Sequence, residues 1–196
     1  LFIIVMGANV SSVVAMLSSA ALAIGLALQN SFSNLAGGLL IILFKPFSIG
    51  DYITVGTESG TVQVINIYFT HILTPDNRTV VLPNGLVSNT VLVNASTERT
   101  RRAEVVLPVA YAEDSRRVCA LLEQAAAADA RVLADPPPRA VLTDLTGGVQ
   151  TFTLWAWCAR DDCYDVTYAL RLSAKERLEQ NGVALARARM DVELRA

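Results

Sequence analysis

The sequence begins with a long apolar stretch and then changes to short runs in which apolar and polar residues alternate. Residues 1–28 contain no charged residue and no proline, and the first charged residue of the chain is Lys45. A helix over these residues is about 42 Å long, which exceeds the ~30 Å hydrocarbon core of a bilayer. A signal peptide would have a basic start and a shorter apolar core. The pattern therefore predicts a membrane-spanning helix.

On a helical wheel this helix carries a leucine ridge, formed by Leu22 and Leu26, which lie about 40° apart. Small residues flank the ridge, with Ser18, Ala21 and Gly25 on one side and Ala20, Ala23 and Ala27 on the other. Small residues let membrane helices approach closely, and two such flanks give each helix a neighbour on both sides. We therefore expect a ring whose axis the leucine ridge faces, although alanine and glycine are also common in membrane helices generally.

Polar residues interrupt the apolar pattern after this helix. Gln29, Asn30 and Ser31 propagate a helix poorly, and helical spacing of apolar residues resumes at Phe32 and runs to Phe44. Lys45 and Pro46 then stop it, since proline breaks helices and disfavours helical geometry in the preceding residue. We expect a kink at Gln29 and Asn30, followed by a second, shorter helix near the membrane interface.

From residue 47 the pattern is that of a small β domain. Residues rich in β-branched and aromatic side chains predict strands at 52–55, 60–68, 70–73 and 79–82, and a further strand follows residues 87–93. Turns are predicted at 75–78 and 83–85. Several strands within such a short, glycine-punctuated segment are typical of a small β barrel, of the Sm-like kind.

After a charged connector at 98–102 the pattern becomes α+β. It predicts strands at 104–109, 140–145 and 150–158, helices at 114–128 and 165–180, and a last short strand at 190–194. The Asn181-Gly182 pair is typical of a left-handed helix cap. The expected organisation is therefore a membrane segment at 1–46, a small β domain at 47–97 and an α+β domain at 98–196.

Composition and charge narrow the classes of function. Only 17% of the residues are charged, because the uncharged first segment is averaged with an ordinary soluble part. The net charge is −2, and Arg78 is the only basic residue between 47 and 95. Neither feature favours binding to nucleic acid.

No motif for catalysis, nucleotide binding or metal binding is present, so no catalytic residue, metal or cofactor is expected. The three cysteines, Cys119, Cys158 and Cys163, form no CxxC pair. Together with the single histidine, His71, they form no recognisable cluster of metal ligands. Several charged and aromatic groups are interpreted as solvated or structural rather than functional. These are Asp161, Asp162 and Asp165 in a loop, Arg99, Arg101 and Arg102 in the connector, and Trp155 and Trp157 on one face of a strand, which we interpret as core or subunit contacts.

The segment from Ala20 to Gly38, together with Phe44-Lys45-Pro46-Phe47, closely resembles the small-conductance mechanosensitive channel (MscS-like) family. The resemblance continues through Ile49-Gly50-Asp51-Tyr52, Gly60-Thr61-Val62, Leu82-Pro83-Asn84-Gly85 and Met190-Asp191-Val192. It implies a homoheptamer with a pore-lining helix, a kink, an interfacial half-helix and a cytoplasmic vestibule with side portals.

The resemblance also assigns residues. The leucine constriction of the family maps onto Leu22 and Leu26, and its tightly packed helix positions map onto Ser18, Ala21, Ala23, Gly25 and Ala27. The kink maps onto Gln29 and Asn30, although Asn30 stands where the family often has glycine. Val183 to Arg189 likewise replaces an aromatic and proline-rich stretch that often precedes the terminal strand of the family.

The functional hypothesis is a mechanosensitive ion channel opened by membrane tension, which releases ions and small solutes on hypo-osmotic shock with weak ion selectivity. Its expected partners are membrane lipid and further copies of the chain. The expected location is the bacterial inner membrane, with further helices upstream of residue 1 and with residues after about 45 in the cytoplasm; Lys45 gives a slight positive-inside signal. The alternative is a membrane-anchored scaffold that binds protein or RNA partners, and an enzyme ranks third.

Overall fold

The computed structural model describes residues 10–186, and the chain divides into two compact units, Leu1–Thr97 and Glu98–Ala196. In the first unit the long helix α1 (Val10–Phe44) is followed by five strands, with a short helix between the last two. The strands are β1 (Tyr52–Val55), β2 (Glu58–Ile65), β3 (Phe69–Leu73), β4 (Thr79–Pro83) and β5 (Leu92–Asn94), and the short helix is α2 (Asn84–Asn89). We call residues 47–97 the β domain.

The five strands form one antiparallel sheet in the order β4-β3-β2-β1-β5. Alternate residues point into its core, as Ile53 and Val55 do in β1. The core also includes Ile41 of α1 and Phe47, so the end of the long helix belongs to the same packing unit. The β-rich domain predicted from the alternating pattern is confirmed.

One predicted turn is a helix. Residues 83–85 were expected to form a simple turn, but α2 begins at Asn84, directly after Pro83. Proline suits this position because its fixed φ is compatible with a helix start and it has no N–H to leave unpaired. The side chains of Ser88 and Asn89 both donate to the carbonyl oxygen of Gly85, which supports the short helix from within.

The apolar segment forms one helix and not two. The hydrogen-bonded helix runs from Val10 to Phe44 without a break at Gln29, Asn30 or Ser31, so the expected interruption there is wrong. Such residues cost at most ~0.7 kcal/mol each in a helix interior, and the surrounding alanines and leucines are good helix formers. A bend of the helix axis at Gln29 and Asn30 stays a prediction.

The helix ends where the sequence indicated. Lys45 has a left-handed conformation with φ of 48°, and its N–H still donates to the carbonyl oxygen of Ile41 at 2.9 Å. Pro46 then prevents continuation.

The second unit is an α+β fold, as predicted. Its strands are β6 (Thr100–Ala110), β7 (Arg139–Asp144) and β8 (Val149–Ala159), which form an antiparallel sheet in the order β6-β8-β7. Its helices are α3 (Ser115–Ala127) and α4 (Cys163–Gln180). The core is built from alternate residues of β6 and β8 together with apolar residues of both helices.

The prediction of a charged connector at 98–102 is partly wrong, because Thr100, Arg101 and Arg102 belong to β6 and pair with β8. Aromatic rings explain why arginines are accommodated there. The guanidinium of Arg101 lies 5.4 Å from the ring centroid of Tyr164, and that of Arg102 lies 4.9 Å from the ring centroid of Trp155.

The two helices of this unit have well-defined ends. Asp114 caps α3 by accepting hydrogen bonds from the N–H groups of Arg116 and Arg117. The predicted left-handed cap of α4 is confirmed, since Gly182 has φ of 72° and the next N–H, of Val183, donates to the carbonyl oxygen of Leu178. The strand predicted at 190–194 lies outside the described residues.

Candidate functional site: the apolar helix and its contact with the β domain

Most of α1 is exposed to solvent among the described residues. From Val10 to Ser33 every side chain except that of Val13 is exposed, and the leucine ridge is 65% exposed at Leu22 and 62% at Leu26. Burying a leucine side chain contributes roughly 1.5–3 kcal/mol relative to leaving it in water. So large an apolar surface needs a membrane or other helices around it. By length and composition α1 also qualifies as a candidate membrane span.

The length of α1 exceeds what a bilayer requires. Its 35 residues extend over about 52 Å, whereas the hydrocarbon core takes ~30 Å or about 20 residues. Ser19, which lies in the exposed part, donates its hydroxyl to the carbonyl oxygen of Ala15 at 2.9 Å and so needs no water partner. The carboxyl end of α1 packs on the β domain.

The predicted constriction and packing residues all lie in the exposed part of α1. Leu22 and Leu26 are one turn apart, and Ser18, Ala21, Ala23, Gly25, Ala27, Gln29 and Asn30 are exposed around them. Beyond the neighbouring backbone of α1, a Cβ built on Gly25 would meet no atom of residues 10–186 within 4 Å. The structure therefore leaves both small flanks free for contacts outside the single chain.

The contact between α1 and the β domain was not predicted from the sequence. Gly37, Gly38 and Ile41 are buried and Asn34 and Leu35 are half-buried. These positions recur at helical spacing, so they form one stripe along the last turns of α1. That spacing of small and polar residues was the signal from which a packed face could have been inferred.

Three glycines allow the two backbones to approach closely. A Cβ on Gly37 would lie 2.5 Å from the carbonyl oxygen of Asn84, and a Cβ on Gly38 would overlap the carbonyl oxygen of Ile67. On the opposite side, a Cβ on Gly85 would lie 2.7 Å from Ser33 Oγ. We call this contact, formed by Asn34, Gly37, Gly38, Ile67, Asn84 and Gly85, the glycine seam.

A side chain of α1 caps α2 across the seam. Asn34 Oδ1 accepts a hydrogen bond from the N–H of Gly85 at 2.9 Å. The first N–H groups of a helix have no partner within it, and the residue before α2, Pro83, offers no side-chain cap. Asn34 therefore supplies from another helix the bond that a local cap residue ordinarily provides.

Asn84 holds the β-domain side of the seam in place. Its side chain is fully buried; Oδ1 accepts from Thr70 Oγ1 at 2.8 Å, and Nδ2 donates to the carbonyl oxygen of Asn66, also at 2.8 Å. Its backbone N–H donates to the carbonyl oxygen of Tyr68 at 2.9 Å. These bonds tie the first residue of α2 to the β2–β3 connection.

The remaining candidate groups do not assemble into a site. Across residues 10–186 no three His, Cys, Asp or Glu side chains lie close enough together to hold a metal ion. His71 is half-buried in β3, between Val64 and Val81 on the neighbouring strands. In the acidic loop, Asp161 forms an ion pair with Arg160 at 3.0 Å.

The tryptophans lie on the sheet face opposite the core of the second unit. Trp155 and Trp157 are half-buried, whereas Leu154, Ala156 and Cys158 between and beside them are fully buried. Trp155 Nε1 donates to Glu104 Oε2 at 3.1 Å. The alternation confirms that both indoles share one face, and it places that face outside the core.

The thiols of Cys158 and Cys119 ionise less readily than a free cysteine thiol. Burial raises the pKa of the Cys158 thiol to about 11, and the neighbouring Cys163 contributes further. Burial likewise raises the pKa of the Cys119 thiol. All three cysteines are free thiols; Cys158 and Cys163 are buried, and Cys119 is half-buried.

Two family models match the chain. Residues 30–97 match the model described as "Mechanosensitive ion channel, beta-domain", and residues 103–185 match "Mechanosensitive ion channel MscS, C-terminal". The first model begins within α1 and includes every residue of the glycine seam.

Similar proteins carry corresponding names. The chain is 34% identical over 189 residues to an "Uncharacterized MscS family protein" of Buchnera aphidicola, covering 96% of this chain and 67% of that protein. It is 35% identical over 176 residues to the "Small-conductance mechanosensitive channel" of Edwardsiella ictaluri, covering 90% of this chain and 62% of that one. The chain thus spans about two thirds of the length of these relatives.

A solved structure matches the fold. The crystal structure of Helicobacter pylori MscS in its closed state superposes with a TM-score of 0.86 at 27% identity, covering 97% of this chain and 76% of that chain. The match confirms the combination of an apolar helix, a β domain and an α+β domain.

Proposed function

Since the chain belongs to the MscS family of mechanosensitive ion channels, we propose that it forms a pore that opens under membrane tension. The observation that carries the proposal is the leucine ridge, which projects from the exposed part of a long apolar helix. Copies of α1 arranged around an axis would cover the bare surface and leave the ridge facing the lumen.

The pore is closed by the ridge. Rings of Leu22 and Leu26 would line the narrowest part with apolar side chains, and an apolar constriction sheds water. An ion that loses its water is destabilised by several kcal/mol or more even after relaxation, so conduction stops without steric contact. Because no charged side chain lies on α1, the constriction itself would discriminate weakly between ions.

The ring is a homoheptamer, the number implied by the resemblance to the family. Ser18, Ala21 and Gly25 on one flank of α1 would pack against Ala23 and Ala27 of the next copy. Small residues at such interfaces permit the close backbone approach on which helix association in membranes depends. A bend at Gln29 and Asn30 would direct the end of α1 away from the axis.

Tension opens the pore because the open state occupies more area in the membrane plane. We assign this arrangement of α1 and the β domain to the closed channel, because the H. pylori structure on which the chain superposes is a closed state. The glycine seam holds the last turns of α1 on the β domain in this state. Contacts made only in the closed state add to the work that tension must supply, so loosening the seam favours opening.

In the cell the channel would lie in the bacterial inner membrane, in contact with lipid, with residues after about 45 on the cytoplasmic side. Further membrane helices of the full-length protein would precede α1 and receive the tension. On hypo-osmotic shock the pore would release ions and small solutes. No catalytic role is proposed for any residue.

Patch recording of the full-length protein in liposomes tests the proposal. Suction ramps are expected to evoke currents that rise steeply with tension and pass both cations and anions. Absence of current up to the tension at which the patch ruptures, with the protein present in the membrane, would overturn it.

A further inference from the structure

The side-chain amide of Asn84 has an oxygen that accepts hydrogen bonds and a nitrogen that donates them, so the groups around it determine its orientation. The carbonyl oxygen of Asn66 can only accept a hydrogen bond, and it accepts from Asn84 Nδ2 at 2.8 Å. Asn84 Oδ1 then needs a donor, which the hydroxyl of Thr70 provides at 2.8 Å. Both Thr70 and Asn84 are fully buried, so water offers no substitute for either bond.

The side-chain amide of Asn84 lies directly at the glycine seam, so its orientation affects the seam. Nδ2 of Asn84 lies 2.6 Å from where a Cβ on Gly38 would be, and the carbonyl oxygen of Ile67 occupies the rest of that space. Ile67 follows Asn66, whose carbonyl the amide holds, and Tyr68 accepts from the N–H of Asn84. Asn84 is thus hydrogen-bonded to the residues on both sides of Ile67, the residue that contacts Gly38.

We propose that Thr70 is a positioning residue for the glycine seam, acting through the side chain of Asn84. The inference rests on the proposed function, in which the seam stabilises the closed channel. Thr70 belongs to β3 and not to α1; its hydroxyl fixes the amide so that Nδ2 faces Asn66 and Gly38. Without the hydroxyl, Oδ1 is buried without a donor, and a flipped amide would set its oxygen against the carbonyl oxygen of Asn66.

Isosteric substitution isolates the hydroxyl. Thr70→Val keeps the volume and β-branching of the side chain and removes only the hydrogen bond, whereas Thr70→Ser keeps the donor. Thr79→Val is the matched control, because Thr79 is an exposed residue of β4. The four full-length proteins, wild type included, are compared in lipid nanodiscs by hydrogen–deuterium exchange and in liposome patches by tension ramps.

The N–H of Gly85 reports on the seam because its partner, Asn34 Oδ1, lies on α1. We expect Thr70→Val to speed exchange of this amide about tenfold, with Val62 in the sheet core unchanged as the check on folding. Thr70→Ser and Thr79→Val are expected to match the wild type. The same Thr70→Val protein should open at lower tension than the other three.

The two measurements separate the inference from the proposed function. Faster exchange at Gly85 in Thr70→Val alone supports the positioning role, even if no protein shows tension-evoked current, in which case the proposed function fails. Equal exchange in Thr70→Val and wild type overturns the positioning role, and so does faster exchange in Thr70→Ser to the same degree. Faster exchange together with an unchanged opening tension overturns the link between the seam and gating.

Discussion

Asn34 near the end of α1 accepts the hydrogen bond of the Gly85 N–H at 2.9 Å, so one helix caps another. Helix caps contribute about 0.5–2 kcal/mol, which makes this bond a measurable part of the seam. This hydrogen bond also joins the apolar helix to residues 83–85, which the sequence predicted to be a simple turn.

Replacing Asn34 by leucine should release the first turn of α2. Leucine has as many side-chain heavy atoms as asparagine but no acceptor, so we expect the amides of residues 84–86 to exchange roughly tenfold faster. Asn34→Asp is the control, because a carboxylate still accepts the bond and is favoured at a helix N-terminus. Peptide-level hydrogen–deuterium exchange measures both. Similar exchange in the leucine and aspartate variants would show that the bond does not hold α2.

Gly38→Ala should destabilise the first unit. Its Cβ would overlap the carbonyl oxygen of Ile67, and overpacking of this kind costs about 1–3 kcal/mol. Gly25→Ala is the matched control within α1, since its Cβ meets nothing within 4 Å in the chain. Thermal unfolding in detergent at a concentration that keeps the chain monomeric compares the two. The account is contradicted if Gly25→Ala lowers the midpoint as much as Gly38→Ala does.

Much of the fold follows from local patterns in the sequence. The strands of the β domain, the two helices of the second unit and the left-handed cap at Gly182 could be predicted because each depends on residues close together in the chain. The end of α1 at Lys45 and Pro46 is likewise a local consequence of proline chemistry.

The glycine seam could not be predicted in the same way, because its bonds join distant residues. Asn34 and Gly85 are 51 positions apart, and Asn66 and Asn84 are 18 apart. Weak helix propensity at Gln29 and Asn30 was also misleading, since a long cooperative helix tolerates a few such residues. Leu22 and Leu26 lie one turn apart on the exposed part of α1, and their role as a pore constriction stays a prediction.

Gly25→Leu should weaken assembly without affecting the fold of the single chain. Gly25 lies on a small flank of α1, and a leucine there would prevent the close approach of a neighbouring helix. Ile24→Leu introduces a leucine at the adjacent position, on the side of the helix away from the ridge, and is expected to assemble normally. Native mass spectrometry gives the subunit number of each. Equal yields of a seven-membered ring would count against the packing role of the small flanks.

The thiols should react slowly and with a steep pH dependence. With the pKa of Cys158 raised from 9.0 to about 11, its thiolate fraction near pH 8 falls about a hundredfold. Maleimide labelling of Cys158 near pH 8 should therefore be far slower in folded protein than in unfolded protein. Rapid labelling of folded protein near pH 8 would contradict the buried environment of this thiol.

The opening tension of leucine-ridge variants tests the central claim most directly. Leu22→Ser and Leu26→Ser should each open at lower tension than the wild type, because a polar ring holds water in the closed pore. Each ring replaces several leucines worth ~1.5–3 kcal/mol apiece, so the shift should be large. Leu17→Ser, which is as exposed as Leu22 but lies about 140° from it on α1, should leave the threshold unchanged. Wild-type thresholds in both ridge variants, or an equal shift in Leu17→Ser, would contradict the gate.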